Sequence, residues 1–245
     1  MPKQEPSREP FELKEEPIYE GFLSVINESE SNPNKVIKQE LLIDNSIDNS
    51  ISYYSNVKEV ISKMKNDYGI NMPDTDIVIG EKRKGSKRVF IVSDKIIGKN
   101  LVETNRLVNS EKERFERFYN NILQAMFDAY KEGKPFYKDV HAGNIMYGYK
   151  SKEENTENDF FLTDVGRMSI EEDPKKNFIE IIIEILSTLP EYEQKFGKGA
   201  KLKTIRSKFK KIYDYLKSDE INKKVLDSAM ETYMGGNNFL EEIEK

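Results

Sequence analysis

Apolar and polar residues change rhythm several times along this chain, and each change predicts an element. Ile18 to Ile26 is apolar-rich through Tyr19, Phe22, Leu23, Val25 and Ile26; Asn27 to Asn34 is turn-like, and Lys35 to Ile43 resumes as a strand. From Asn45 to Gly69 the residues Ile51, Tyr54, Val57, Ile61, Met64 and Tyr68 fall three and four apart, which predicts a helix with Gly69 as its stop. Asp76 to Gly80 and Arg88 to Val92 read as short strands around a basic turn at Lys82 to Lys87. Ser110 to Lys131 is amphipathic, with Ser110 expected as N-cap, Glu113 closing a capping box, and Phe115, Phe118, Tyr119, Ile122, Met126, Ala129 and Tyr130 on one stripe. Phe178 to Leu189 is apolar on nearly every side and predicts a helix surrounded by protein, which Pro190 helps to end. Lys198 to Leu216 predicts a helix with Leu202, Ile205, Phe209, Ile212, Tyr213 and Leu216 inward and Lys201, Lys203, Arg206, Lys208, Lys210 and Lys211 outward. A basic face of that kind is ordinarily the wet side of a helix. Ser218 to Lys245 carries one more helix.

Between these helices lies the stretch richest in chemistry, Phe136 to Gly166. Two apolar runs, Ile145 to Tyr147 and Phe160 to Thr163, bracket a polar excursion, which is how a hairpin is written. Asp139 and Asn144 precede the first strand and Asp164 follows the second, so pairing brings three oxygen-bearing side chains to one end. Mg²⁺ takes hard oxygen ligands and keeps waters, so one carboxylate and one amide can hold it against a nucleotide's phosphates. A second carboxylate can then accept the proton of an attacking hydroxyl.

Composition narrows the options. The 245 residues suffice for one large domain or two lobes sharing a cleft, and 37% hydrophobic content allows a core. Charged residues make up 34% and the mean hydropathy is -0.72, so the surface is heavily solvated. A net charge of -5 with pI near 5.3 argues against general nucleic-acid affinity. No apolar run is long enough to span a bilayer and no export signal opens the chain, so the expected workplace is the cytoplasm, or a host's cytoplasm for a phage or effector product. The absence of cysteine excludes disulfides and thiol chemistry.

At Phe136 to Gly166 the chain resembles the protein kinase-like superfamily, whose catalytic loop H-R-D-x-x-x-x-N is followed by a metal-binding D-F-G. Tyr137-Lys138-Asp139 with Asn144 matches the first motif and Asp164-Val165-Gly166 the second. The wording Asp139-Val140-His141-Ala142-Gly143-Asn144 is most similar to aminoglycoside and choline phosphotransferases and to compact phage and bacterial kinases. The resemblance implies an α+β, two-lobed kinase-like fold, with a small mainly β lobe at 18–97 and a mainly helical lobe at 98–245; residues 1–17, rich in Glu, Lys and Pro, are expected to be a disordered arm before it.

It also implies roles. Val36-Ile37-Lys38 matches the strand fragment whose lysine grips phosphates, with Lys35 as the fallback. Asp94 and Ile96 would offer backbone groups to adenine, with Ser93 lining the pocket. Asn144 and Asp164 would bind Mg²⁺, Asp139 would be the base, and His141, the sole histidine, would support the transferred phosphate or shape the loop. The family's lysine pairs with a glutamate of the next helix. Glu59 is the only acid well inside ours, and at about 100° per residue it falls opposite the apolar face.

Two departures are plain. The glycine-rich phosphate loop is missing, Gly21 being the sole glycine in that region. No long activation segment follows Gly166; instead Asp173-Pro174 resembles the G-D-P-x-x-D of small-molecule phosphotransferases, with Asn177 in place of its aspartate. The expected activity is MgATP-dependent phosphorylation of a hydroxyl, with Ser or Thr of a protein favoured, a small-molecule alcohol as the alternative, and a regulatory protein partner for control. A non-catalytic binding module and nucleotidyl transfer stay open.

Overall fold

The computed structural model describes residues 17, 19–20, 24–40, 47–83, 86–151, 157–166, 170–171 and 173–234. The expected arm before residue 17, Gly21, and the end of the tail lie outside them. Strands β1 (Tyr19–Glu20), β2 (Ser24–Glu28), β3 (Lys35–Glu40), β4 (Thr75–Arg83) and β5 (Ser86–Asp94) form an antiparallel sheet in the order β1-β2-β3-β5-β4. The strand pleat divides its residues between two faces. Ile37, Phe90 and Val92 make a small apolar cluster on one face, while Val89 and Ile91 join the main core on the other.

Helix α1 (Ile47–Asn66) lies between β3 and β4 in sequence and buries Tyr54, Val57, Ile61 and Met64 in that main core, at the predicted spacing. The chain leaves the first sheet at Lys95 and enters β6 (Ile96–Asn100), which pairs with the hairpin of β8 (Ile145–Lys150) and β9 (Asp159–Leu162). β6 and β8 are pressed together at Gly98 and Gly148, which face each other; a Cβ on either would overlap the opposite backbone. β7 (Phe136–Tyr137) pairs with β10 (Ile170–Glu171).

The second half is otherwise helical: α2 (Lys112–Glu132), α3 (Pro174–Ser187), α4 (Leu189–Lys195), α5 (Lys203–Lys217) and α6 (Glu220–Met234). A small β-rich first region followed by a helical second region is the expected α+β architecture. Phe115 of α2 is fully buried, and its ring centroid lies 5.1 Å from Phe160, 5.5 Å from Tyr192 and 5.5 Å from Phe196. Those contacts tie the hairpin to α2 and α4. Among the described residues no helix is long and apolar enough to cross a membrane.

Several local expectations are corrected. Ser110 sits in a short 3₁₀ turn, Asn109–Glu111, and caps nothing; α2 starts after it. α3 is not enclosed on all sides, because Glu180 and Glu184 reach solvent while Phe178, Ile179, Ile182, Ile183 and Leu186 point inward. The break after α3 falls at Thr188, and Pro190 lies in the first turn of α4, where its missing N–H costs nothing. Arg206, expected outward, is buried.

Arg206 Nε donates to Glu193 Oε1 at 2.7 Å and Nη2 to Oε2 at 2.7 Å, while the Leu202 N–H also donates to Oε1. Burial pushes the Glu193 carboxyl up, but these donors outweigh it and hold it below the usual range. The pair locks the loop before α5 onto α4. Removing one partner leaves a buried charge, so Arg206→Ala is expected to lower stability by about 3–5 kcal/mol in a denaturant titration.

Candidate active site

The pairing of β8 with β9, Ile145 opposite Leu162, brings the residues just before one strand alongside those just after the other. The Thr163 N–H and hydroxyl donate to the Asn144 carbonyl at 2.8 Å and 3.1 Å, fixing the two loops together. Asn144 is buried, and its Nδ2 donates to Asp139 Oδ2 at 2.8 Å and to the Asp139 carbonyl at 3.0 Å. Tyr137, fully buried, donates its hydroxyl to the Thr163 carbonyl at 2.8 Å. That bond joins β7 to the residue before Asp164. Thr163 was not marked from sequence, since a strand-end threonine is unremarkable until its hydroxyl has a partner.

Asp164 has φ 55°, the one positive value for a non-glycine among the described residues. Aspartate tolerates this region better than most side chains, and residues held in it cluster at functional sites. The turn leaves its side chain 41% exposed, with Oδ1 2.5 Å from the Lys38 ammonium. Lys38 comes from β3, 126 residues away. It also lies 3.2 Å from Glu40 Oε1, and Glu40 Oε2 accepts a hydrogen bond from the Tyr54 hydroxyl of α1.

Burial works against the Lys38 charge, yet the carboxylates of Asp164 and Glu40 outweigh it and raise its pKa above the ordinary lysine value. The fallback Lys35 is elsewhere, 2.8 Å from the fully buried Asp94 carboxylate. The two lysines are thereby told apart.

Asp139 feels opposing influences. Burial pushes its carboxyl up, but hydrogen bonds from His141 and Asn144 and the Lys38 charge hold it below the usual carboxylate range. His141 is 54% exposed, with Nε2 3.3 Å from Asp139 Oδ1. The Asp139 hydrogen bond raises the His141 pKa. Its Nδ1 accepts the Gly143 N–H at 3.1 Å, so in the neutral ring the proton belongs on Nε2, facing Asp139. Lys138 turns away, to Glu171 Oε2 of β10 at 3.2 Å.

The structure therefore brings Lys38, Asp139, His141, Asn144 and Asp164 into one cluster. Asp94 and Ile96 sit apart from it. The Asp94 N–H donates to the Asp74 carbonyl at 3.0 Å, and Ile96 pairs with Lys150. Glu59 lies on the exposed side of α1, as its position opposite the apolar stripe indicates, and lines a cavity against α2. The residue that sequence reading passed over is Glu40. Its signal was present, two positions along a strand from Lys38 and so on the same face.

Asp164 and Asn144 offer a carboxylate and an amide oxygen, a donor set that fits Mg²⁺ with water completing the shell. Among the described residues no group of three or more acidic, His or Cys side chains forms a metal site.

No family model matches this chain, and no curated protein matches it. Among solved structures it is similar to vaccinia related kinase 3, with TM-score 0.42 and 16% identity, over 66% of this chain and 48% of that one. The chain thus spans about half the length of that structure. A likeness at this level carries nothing about reaction or substrate.

Two outcomes test the geometry. A Cβ at Gly166 would overlap the Glu40 carboxylate and the Lys38 ammonium, both ends of flexible side chains. Gly166→Ala should therefore cost only the about 1–3 kcal/mol of a local overpacking while separating Lys38 from Asp164, as a crystal structure of the variant would reveal. The His141 pKa is raised in the fold, so its stabilisation is fully present below the unfolded value of about 6.5 and is lost as pH rises through the folded one. The stability gap between the native chain and His141→Gln should accordingly be widest in mild acid and close at higher pH, measured by urea titrations across that range.

Proposed function

We propose that this chain is a Mg²⁺-supported, ATP-dependent phosphotransferase acting on a hydroxyl group. One observation carries the reading: Lys38 of β3 meets Asp164 at 2.5 Å, beside a hairpin end where Asn144 holds Asp139 at 2.8 Å. In this reading Lys38 binds the nucleotide's phosphates as a compact cation. Asp164 and Asn144 hold Mg²⁺, which neutralises phosphate charge when bound. Asp139, kept ionised by its neighbours, accepts the proton of the acceptor hydroxyl as its oxygen bonds to the γ-phosphorus and the bond to ADP breaks. His141 keeps that carboxylate oriented. The Ser93 to Ile96 segment would hold the adenine, with the Asp94 carbonyl as the group to offer, since the Asp94 amide already donates to Asp74.

The favoured acceptor is a Ser or Thr side chain of a protein. The exposure of His141 at 54% and Asp164 at 41% supports this, since a macromolecular hydroxyl can reach an open site. A small alcohol is the second reading. It is supported by the short return after Gly166, where Ile170 of β10 already pairs with Tyr137 and only Arg167, Met168 and Ser169 intervene. So short a return leaves no phosphorylation switch of the usual kind, and control falls to a protein partner, in the cytoplasm where ATP is abundant.

The test is incubation with γ-labelled ATP and Mg²⁺ in two arms, a protein lysate and a panel of small alcohols. The native chain should transfer label in one arm, which names the acceptor class, and Asp139→Ala and Asp164→Ala should each lose about 10²–10⁴-fold. No transfer in either arm overturns the proposal.

A further inference from the structure

The carboxylate that steadies Lys38 comes from its own strand. We infer that Glu40 is a positioning residue for Lys38, and that Tyr54 couples α1 to this pair through a neutral hydroxyl; the inference rests on the phosphotransferase reading for its functional consequence.

Four observations converge on it. Lys38 and Glu40 face the same side of β3, opposite Ile91 and Val89 of β5, and their charged ends are 3.2 Å apart. Glu40 is buried, so its charge is tolerable only beside a cation and hydrogen-bond donors. Tyr54, on the buried face of α1, donates to the other oxygen of the same carboxylate. Gly166, with no side chain, leaves the space that the Glu40 and Lys38 ends occupy.

The arrangement has a division of labour. Asp164 is 41% exposed and sits on a turn; Glu40 is enclosed, with its side chain 8% exposed. When Asp164 turns to another ligand, Glu40 stays on Lys38 and keeps the ammonium aimed at the cleft. Because α1 supplies a phenol and not the carboxylate, a small displacement of α1 loosens Glu40 without removing the counter-charge from Lys38. The lysine clamp is thus built within one strand, and α1 only trims its position.

The test has a readout that needs no nucleotide. Acetic anhydride labelling of the full chain, quantified at each lysine by peptide mass spectrometry, should rise several-fold at Lys38 in Glu40→Gln, rise less in Tyr54→Phe, and stay unchanged at Lys63 and Lys150. Unchanged labelling of Lys38 in a folded Glu40→Gln overturns the inference. Should Glu40→Gln unfold, Glu40→Asp and Tyr54→Phe carry the same comparison, with Glu40→Asp expected between native and Tyr54→Phe.

In MgATP turnover, Glu40→Gln should reduce kcat about tenfold or more in the native background and have no added effect once Lys38→Met is present, the non-additivity expected of residues acting as one unit. Equal effects in both backgrounds mean that Glu40 does not act through Lys38. A labelling change in a chain that never turns over MgATP leaves Glu40 as the holder of Lys38 and sinks the phosphotransferase reading alone.

Discussion

The Lys38 ammonium stands between two carboxylates, Glu40 from two positions along its own strand and Asp164 from 126 residues away. Both halves of the chain must be in place for that cluster to exist. A lysine this enclosed loses much of its hydration, and the two carboxylates replace it. The cluster therefore constrains the sheet of the first half, the hairpin of the second, and the glycine that lets them approach.

Around it the fold supplies rigidity from two directions. Tyr137, buried at the end of β7, fixes the backbone just before Asp164, and the β8–β9 register fixes Asn144 against Thr163. α1 is anchored in the same core as α2 and reaches the cluster through Tyr54. The helical half is pinned separately by the Glu193–Arg206 pair, whose buried charges are satisfied by fork-to-fork geometry and a backbone amide. The clustered polar side chains thus sit at the ends of well-packed elements while the loop carrying His141 stays open to solvent.

Charge organises the site as much as shape does. Asp139 is kept ionised by donors on two sides, and the His141 ring, in its neutral form, carries its proton toward that carboxylate. Asp164, in a left-handed turn, is partly exposed and shared with Lys38. An enclosed carboxylate, Glu40, and an exposed one, Asp164, share the Lys38 ammonium, and the half-buried Asp139 lies near enough to feel its charge.

Much of this was readable from residue order. The two short apolar runs at Ile145 and Phe160, bracketing a polar excursion, were enough for the hairpin, because such runs and the turn residues between them act locally, and with it came the meeting of Asp139, Asn144 and Asp164. The spacing of Tyr54, Val57, Ile61 and Met64 likewise determined which face of α1 is buried. What residue order left undecided was every pairing between distant segments. Whether Lys35 or Lys38 reaches Asp164 depends on strand register against β5. That Arg206 turns inward depends on Glu193 waiting in α4, and that Glu40 replaces Glu59 depends on a strand pleat meeting the empty space over Gly166. Such choices belong to packing in three dimensions, where a counter-charge or a missing Cβ far along the chain outweighs the local pattern.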